Sequence, residues 1–345
     1  MQSVQDVDVS GKTVLVRCDF DVPLQQLDND GSRLVVEDSY RIEACLPTLK
    51  YLVDKSACVV ACGHLDRPGG KVKEGLRLDP IARKLSEYLE FVHKVDSVTG
   101  ADTEEVVAEL EAGDILVLEN LRFDSREKEN DKAFAQELAS LADVYVNESF
   151  ATSHRKHASL VGVTEFLPSY GGLRLETEIK KLSLLKENPL RPLIFILGGA
   201  KVATKAPLVE EFSTYADKIL LGGKLMFEQS LEDLPGVVFP IDAESTFDIG
   251  KETVDLFKNH LSNAGTVVWN GPLGKFEEPE YSRGTRLIAD YLVRSSADVI
   301  VGGGDTLAAL KQVGLREQMD FVSTGGGAML SYLSGKHLPA LDVLT

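Results

Sequence analysis

No run of uncharged residues approaches the ~20 that cross a bilayer as a helix, which excludes a helical membrane protein by pattern. The opening "MQSVQDVDVS" is acidic and lacks a long apolar run, so neither a secretory signal nor a transit peptide is read there. Cysteine is scarce. Its four copies, Cys18, Cys45, Cys58 and Cys62, all lie in the first fifth of the chain, within or beside apolar segments. Cys58 and Cys62 in "ACVVAC" would share one face of a strand, and the expectation is reduced core thiols in a cytosolic protein rather than disulfides or a metal site. Cations are in deficit, 37 Lys and Arg against 54 Asp and Glu, for a formal charge of −17. That balance argues against nucleic acid or an anionic membrane as partner, because both need a cationic footprint. Two common nucleotide fingerprints are missing as well. "GKT" at Gly11 to Thr13 resembles the end of a P-loop, but Asp6 stands where the leading glycine belongs. No Gly-x-Gly-x-x-Gly stands between a strand and a helix, which demotes a dinucleotide dehydrogenase.

What remains is an ordinary globular composition, 43% hydrophobic and 26% charged, over 345 residues. At ~100–200 residues per domain this length implies two domains. Short β-branched runs ("TVLVRCDF", "ACVVACGHL", "DILVLEN", "DVYVNESF", then "LIFILGG", "KILLGG", "TVVWNG", "DVIVGGG", "DFVSTGGG") alternate with helical patterns such as "ARKLSEYLEFV", "KAFAQELASLA", "KETVDLFKNHL" and "GTRLIADYLV". Strands buried on both faces and alternating with helices predict α/β architecture: two doubly wound parallel sheets. The expected division is residues 1–168, an inter-domain helix over 169–188 closed by Pro189 and Pro192, a second domain over 189–328, and a C-terminal segment, 329–345, returning to the first.

The halves differ in the residues placed just after their strands, where open α/β sheets bind ligands. Strand ends of the first half carry Arg17, Asp19, Asp21, His64, Arg67, Arg122, His154, Arg155 and His157, with Arg41 nearby. Arginine's planar fork pairs with carboxylate and phosphate oxygens; one such residue alone is usually a surface ion pair, but several at strand ends point to an anion. The His-x-x-His spacing of His154 and His157 is read as anion contact or packing. Strand ends of the second half carry glycine instead. In "GGAKVATK", Lys201 and Lys205 sit four apart at a helix start, where cations oppose the helix dipole unless an anion arrives. By itself this is equally a turn with solvated lysines. Asp305 in "IVGGGDT" is a helix cap taken alone, and next to a phosphate loop it is a hard oxygen ligand for Mg²⁺.

Nine ordered segments, "VLVRCDFDVPL", "GHLDRP", "ENLRF", "ADVYVNESF", "SHRKHAS", "FILGGAKVATK", "TVVWNGPLGKFE", "IVGGGDT" and "STGGGAML", resemble those of phosphoglycerate kinases from about Val9 to Leu341. The resemblance implies a two-lobed, hinge-bending cytoplasmic enzyme, taken as a monomer. It would pass the acyl phosphate of 1,3-bisphosphoglycerate to Mg-ADP, giving ATP and 3-phosphoglycerate. It implies an acid site of Asp19, Asp21, Arg41, His64, Arg67, Arg122 and Arg155. On the nucleotide side it implies Gly199, Ala200, Lys201, Lys205, Gly223, Asn270, Pro272, Glu277, Gly303, Gly304, Asp305 and Thr306, with Asp305 associated with Mg²⁺. Arg41, Lys201, Lys205 and the amides of Gly325, Gly326 and Gly327 would serve the phosphoryl group in transfer.

The chain departs from the family pattern in three places. Asp21 replaces the usual Asn, so that weakened substrate affinity is expected unless Arg or His compensates. Lys224 follows "LLGG", and the next helix comes early, which leaves base preference open between ADP and GDP. Glu148-Ser149 in "YVNESF" replaces an Asp-Ala or Asp-Ser pair, with no direct role assigned. The rival readings are a catalytically silent relative that binds phosphometabolites or a protein partner, and a kinase of this fold acting on another acid.

Overall fold

Val14, Leu15 and Val16 have no solvent exposure, although they are successive residues that point to alternate faces. Both faces of their strand are therefore covered, as a central parallel strand requires. In the computed structural model, which describes residues 1–28 and 33–344, this strand is β1 (Thr13–Arg17). The other strands of its sheet are β2 (Cys58–Cys62), β3 (Val92–Lys94), β4 (Ile115–Val117), β5 (Val144–Asn147) and β6 (Ser169–Gly171). They lie in the order β3-β4-β2-β1-β5-β6, every pair parallel. Helix α1 (Tyr40–Asp54) lays Ile42, Cys45 and Leu49 against Val14, Val16, Val59 and Ala61 in one core. Each such fully buried aliphatic side chain contributes about 1.5–3 kcal/mol.

A second sheet of the same kind holds β7 (Leu193–Leu197), β8 (Lys218–Leu221), β9 (Val237–Val238), β10 (Thr266–Asn270), β11 (Asp298–Gly302) and β12 (Phe321–Ser323). Its order is β9-β8-β7-β10-β11-β12, again parallel throughout. The chain divides into two units, Lys181–Lys336 around the second sheet and the remainder, including the segment from His337 on, around the first. Helix α2 (Leu173–Glu187) contains the boundary at Lys180 and Lys181. Among the described residues no helix is long and apolar enough to cross a membrane.

The two parallel sheets are those expected from the strand pattern, and all four cysteines are free thiols. Within these two sheets three strands escape a reading of the sequence: β3, β6 and β9. They are edge strands of two or three residues, only partly buried apart from Gly171, and so lack the continuous apolar run that marks a central strand. The helix expected over "ARKLSEYLEFV" is also shorter. It ends at Leu85, and Val92 instead opens β3.

Register decides what gathers at each sheet's carboxyl edge. Arg17 stands opposite Cys62 and Asn147, so Cys18, Gly63 and Glu148 come next in one row. In the second sheet Asn270 stands opposite Leu197 and Gly302, and Gly302 opposite Ser323, so four glycine turns and Thr324 leave from one edge.

Candidate functional sites at the two sheet edges

In the first unit, Arg17 is wholly buried at the end of β1. Its Nε donates to Ser159 Oγ at 3.0 Å, one Nη to the Cys18 carbonyl, and Nη2 to His64 Nδ1 at 2.9 Å. Ser159 in turn donates its hydroxyl to buried Glu127 Oε1 at 2.7 Å and its amide to Oε2 at 2.9 Å. A guanidinium has no acceptor, so His64 Nδ1 must be the bare nitrogen and Nε2 must carry the proton. Burial, followed by the charges of Arg17, Arg122 and Arg41, holds the His64 pKa well below its usual value. His64 is therefore a neutral Nε2–H donor at the sheet edge.

Around it stand most of the expected acid-site residues. Arg41, in the first turn of α1, lies with Nε 3.5 Å from Asp19 Oδ2 and donates from Nη1 to the Asp21 carbonyl at 2.8 Å. Asp19 is buried, and desolvation raises its pKa against the pull of Arg41. Arg122 donates to the Asp66 carbonyl at 2.8 Å, and its buried Nε has no partner. Burial, then Arg17, lowers its pKa, with exposed Arg155 among the neighbouring charges. His154 falls to about 4 through burial, followed by Arg155. Burial withdraws water from these charged forms, and a bound anion would offset that cost. Arg67 stands exposed in the loop after β2, next to Asp66, whose amide and carbonyl bond Asp21 and Arg122.

Two participants are not evident in the sequence. There Arg17 is only one cation among several, and nothing singles out Glu127. Glu127 accepts from Ser159 and lies 3.6 Å from His157 Nδ1, completing a buried chain Glu127–Ser159–Arg17–His64. No local pattern marks such a chain, because its members meet only across 142 and 47 residues of sequence.

In the second unit the glycine turns interlock. Gly199 donates to the Pro272 carbonyl at 2.8 Å, Gly223 to that of Leu273 at 2.8 Å, and Lys224 to that of Gly199 at 2.9 Å. Thr306 Oγ1 accepts from Gly271 N at 2.6 Å, and Asn270 Nδ2 donates to the Gly302 carbonyl at 2.9 Å. The side chains of Asn270 and Thr306 thus brace the turns, and Pro272 contributes its carbonyl. Gly326 must lack a side chain, since a Cβ there would lie 2.3 Å from Gly303 Cα.

Lys201 and Lys205 do not share one helical face. Lys201 is the non-helical residue before α3 (Val202–Ser213) and is exposed. Lys205 turns inward, and its Nζ donates to the carbonyls of Gly198 at 2.6 Å and Asn270 at 3.1 Å. Burial lowers its pKa to about 8, opposed by Asp305 and reinforced by Lys201. Asp305 is exposed in the first turn of α4 (Gly304–Gln312), beside exposed Gly304. Gly325 donates its amide to Ser323 Oγ at 3.2 Å, which leaves Gly326 and Gly327 as the amides of the first turn of α5 (Gly326–Leu333). Ala200 and Glu277 are exposed near this edge. The ensemble is a set of backbone donors and two lysines with one hard carboxylate, chemistry suited to a phosphate chain and its cation.

One acidic group in the first unit has a different character. Asp79, Asp96 and Glu119 converge, but Lys94 Nζ lies 3.1 Å from Glu119 and 3.5 Å from Asp79, so the cluster already holds its cation.

Comparison with known proteins agrees with this geometry. The sequence model of the family described as phosphoglycerate kinase matches residues 4–234 and 235–336. A phosphoglycerate kinase of Dictyoglomus turgidum is 39% identical over 393 residues, covering 99% of this chain and 97% of that protein. One of Prochlorococcus marinus is 40% identical, covering 98% and 96%. Among solved structures, phosphoglycerate kinase from Pyrococcus horikoshii superposes with a TM-score of 0.87 at 30% identity, covering 100% of this chain and 98% of that one. The enzyme from Coxiella burnetii gives 0.81 at 32%, covering 99% and 98%. The first alignment runs over 393 positions against a chain of 345, so at least 48 positions have no counterpart here. The interrupted family match places a break at Leu234 and Pro235, beside edge strand β9. Likeness of sequence and of structure thus extends over nearly the whole chain, and the chain belongs to the phosphoglycerate kinase family.

Proposed function

We infer that this chain catalyses the reversible transfer of the acyl phosphate of 1,3-bisphosphoglycerate to Mg-ADP, giving ATP and 3-phosphoglycerate, the phosphoglycerate kinase step of glycolysis. The bond between phosphorus and the acyl oxygen breaks, and one between phosphorus and a β-phosphate oxygen of ADP forms. The attacking oxygen is already deprotonated near neutral pH and the leaving group is a carboxylate. Neither a general base nor a general acid is required, and positioning with charge neutralisation is what the protein must supply.

The observation that carries the reading is the convergence of Arg41, His64 and Arg122 at one sheet edge, with Arg41 and His64 meeting at Asp21 and Arg122 at the adjoining Asp66 carbonyl, in a protein whose net charge is −17. His64 donates from Nε2, Arg122 and Arg155 receive phosphate oxygens, and Arg41 neutralises the group in transfer. In the second unit the Gly326 and Gly327 amides and the two lysines hold phosphate oxygens. Lys205 leaves the carbonyls of Gly198 and Asn270 to do so. Asp305 fits Mg²⁺, being an exposed hard carboxylate within electrostatic reach of Lys205, and the cation would add further neutralisation of the phosphate chain.

A coupled assay supplied with 3-phosphoglycerate and MgATP tests the reading. Turnover is expected, and a rate equal to the blank under saturating substrates would overturn it.

A further inference from the structure

The first unit gathers cations for an anion, yet a carboxylate of its own already stands among them. Asp21 Oδ2 lies 3.8 Å from Arg41 Nη1 and 3.7 Å from His64 Nε2. Its position is held from both ends, because Oδ1 accepts from Asp66 N at 2.9 Å and the carbonyl accepts from Arg41 Nη1 at 2.8 Å. The side chain is 40% exposed, so a ligand entering from solvent meets it directly. Asp19 differs: it is 2% exposed and meets Arg41 through Nε, at 3.5 Å. The neutral Nε2–H of His64 and one Nη of Arg41 are donors suited to a carboxylate, and Asp21 is the carboxylate nearest them.

We propose that Asp21 is an internal competitor for the substrate's carboxylate, engaging Arg41 and His64 in the free protein so that the acid binds by exchanging one carboxylate for another. The inference rests on the phosphoglycerate reading of this unit. An exchange gains only the difference between two similar contacts, and the displaced carboxylate then stands as a like charge beside the bound one. Affinity is held down in this way, and release of the acid is eased.

Asp21→Asn tests this while keeping shape, since the amide oxygen still accepts from Asp66 N. Calorimetry without nucleotide should show the Kd for 3-phosphoglycerate falling about tenfold, the order expected when one ion pair to Arg41 and one polar contact to His64 no longer compete. Glycerol 3-phosphate, which has the phosphate but no carboxylate, should change by about twofold or less. Asp21→Ser, which removes the charge by another route, must shift phosphoglycerate in the same direction. An unchanged or weaker Kd for phosphoglycerate would overturn the proposal, as would equal tightening of both ligands, which would mark a general charge effect. If neither the native chain nor the variants bind phosphoglycerate while the thermal transition is intact, the reading of the unit falls, and this inference with it.

Discussion

Arg17 Nη2 donates to His64 Nδ1 across 2.9 Å, and that single contact sets which nitrogen of the histidine faces the acid site. Because arginine only donates, the proton must sit on Nε2, and burial, followed by the surrounding cations, keeps the ring from taking a second one. Nitrogen-15 spectra should show His64 neutral, protonated at Nε2, at pH 6.5, where an ordinary histidine is half charged. A ring that titrates near pH 6.5, or carries its proton on Nδ1, would contradict this arrangement.

Arg41→Ala should separate turnover from binding. Its charge matters most when negative charge is spread over the transferring group, so kcat is expected to fall by ~10²–10³-fold while KM for the acid rises by about tenfold or less. Steady-state kinetics decide the matter, and equal losses in both constants would refute the transition-state role.

Glu148 makes stability depend on pH. It is buried at the start of α2, where it accepts from the Thr48 hydroxyl and from Arg174 N at 3.0 Å, and desolvation raises its pKa from 4.5 to about 8. Between those values the folded chain retains a proton that the unfolded chain has lost. The cost of burying the charge is absent below pH 4.5, grows by about 1.4 kcal/mol per pH unit above it, and levels off above about pH 8, so stability falls across that window. Glu148→Gln should remove this slope. Denaturant melts of both proteins at pH 5 and pH 8 would show it, and parallel pH profiles would rule the effect out.

Lys205 should take up a proton when nucleotide binds. With a pKa of about 8 in the free protein it is half neutral at that pH, and a phosphate drawn to its Nζ restores the charge. Titration of ADP at pH 8 in two buffers of different ionisation enthalpy should show uptake of about half a proton. No uptake would mean that Lys205 remains on the carbonyls of Gly198 and Asn270.

The glycine turns predict a contrast between neighbours. Gly326→Ala forces a Cβ to within 2.3 Å of Gly303 Cα, main chain that cannot swing aside, and should cost about 1–3 kcal/mol. Gly304→Ala meets nothing within 4 Å and has no positive φ, so its stability should change by less than about 1 kcal/mol, in the favourable direction. Thermal melts that rank the two the other way would contradict the interlocked turns.

The amino-acid pattern by itself determined the central strands, the alternation with helices and the chemical contrast between arginine-bearing and glycine-bearing strand ends. These arise from local periodicity and residue type, which need no knowledge of the rest of the chain. The edge strands β3, β6 and β9 were not legible, because their two or three residues carry no run of apolar side chains long enough to stand out. Tertiary structure alone decided how the site residues are used. Lys201 and Lys205 differ by one helix boundary, so that one is exposed and the other buried on main-chain carbonyls. Asn270, readable in the sequence only as a ligand contact, also braces the turns, because the register of β10 against β11 delivers the Gly302 carbonyl to its amide. The proton on His64 was decided by Arg17, 47 residues away in sequence, and the tension around Asp21 by the convergence of α1 with the ends of β1 and β2. Burial, tautomer and charge pairing depend on neighbours brought together by register, and register is a property of the folded sheet rather than of any segment within it.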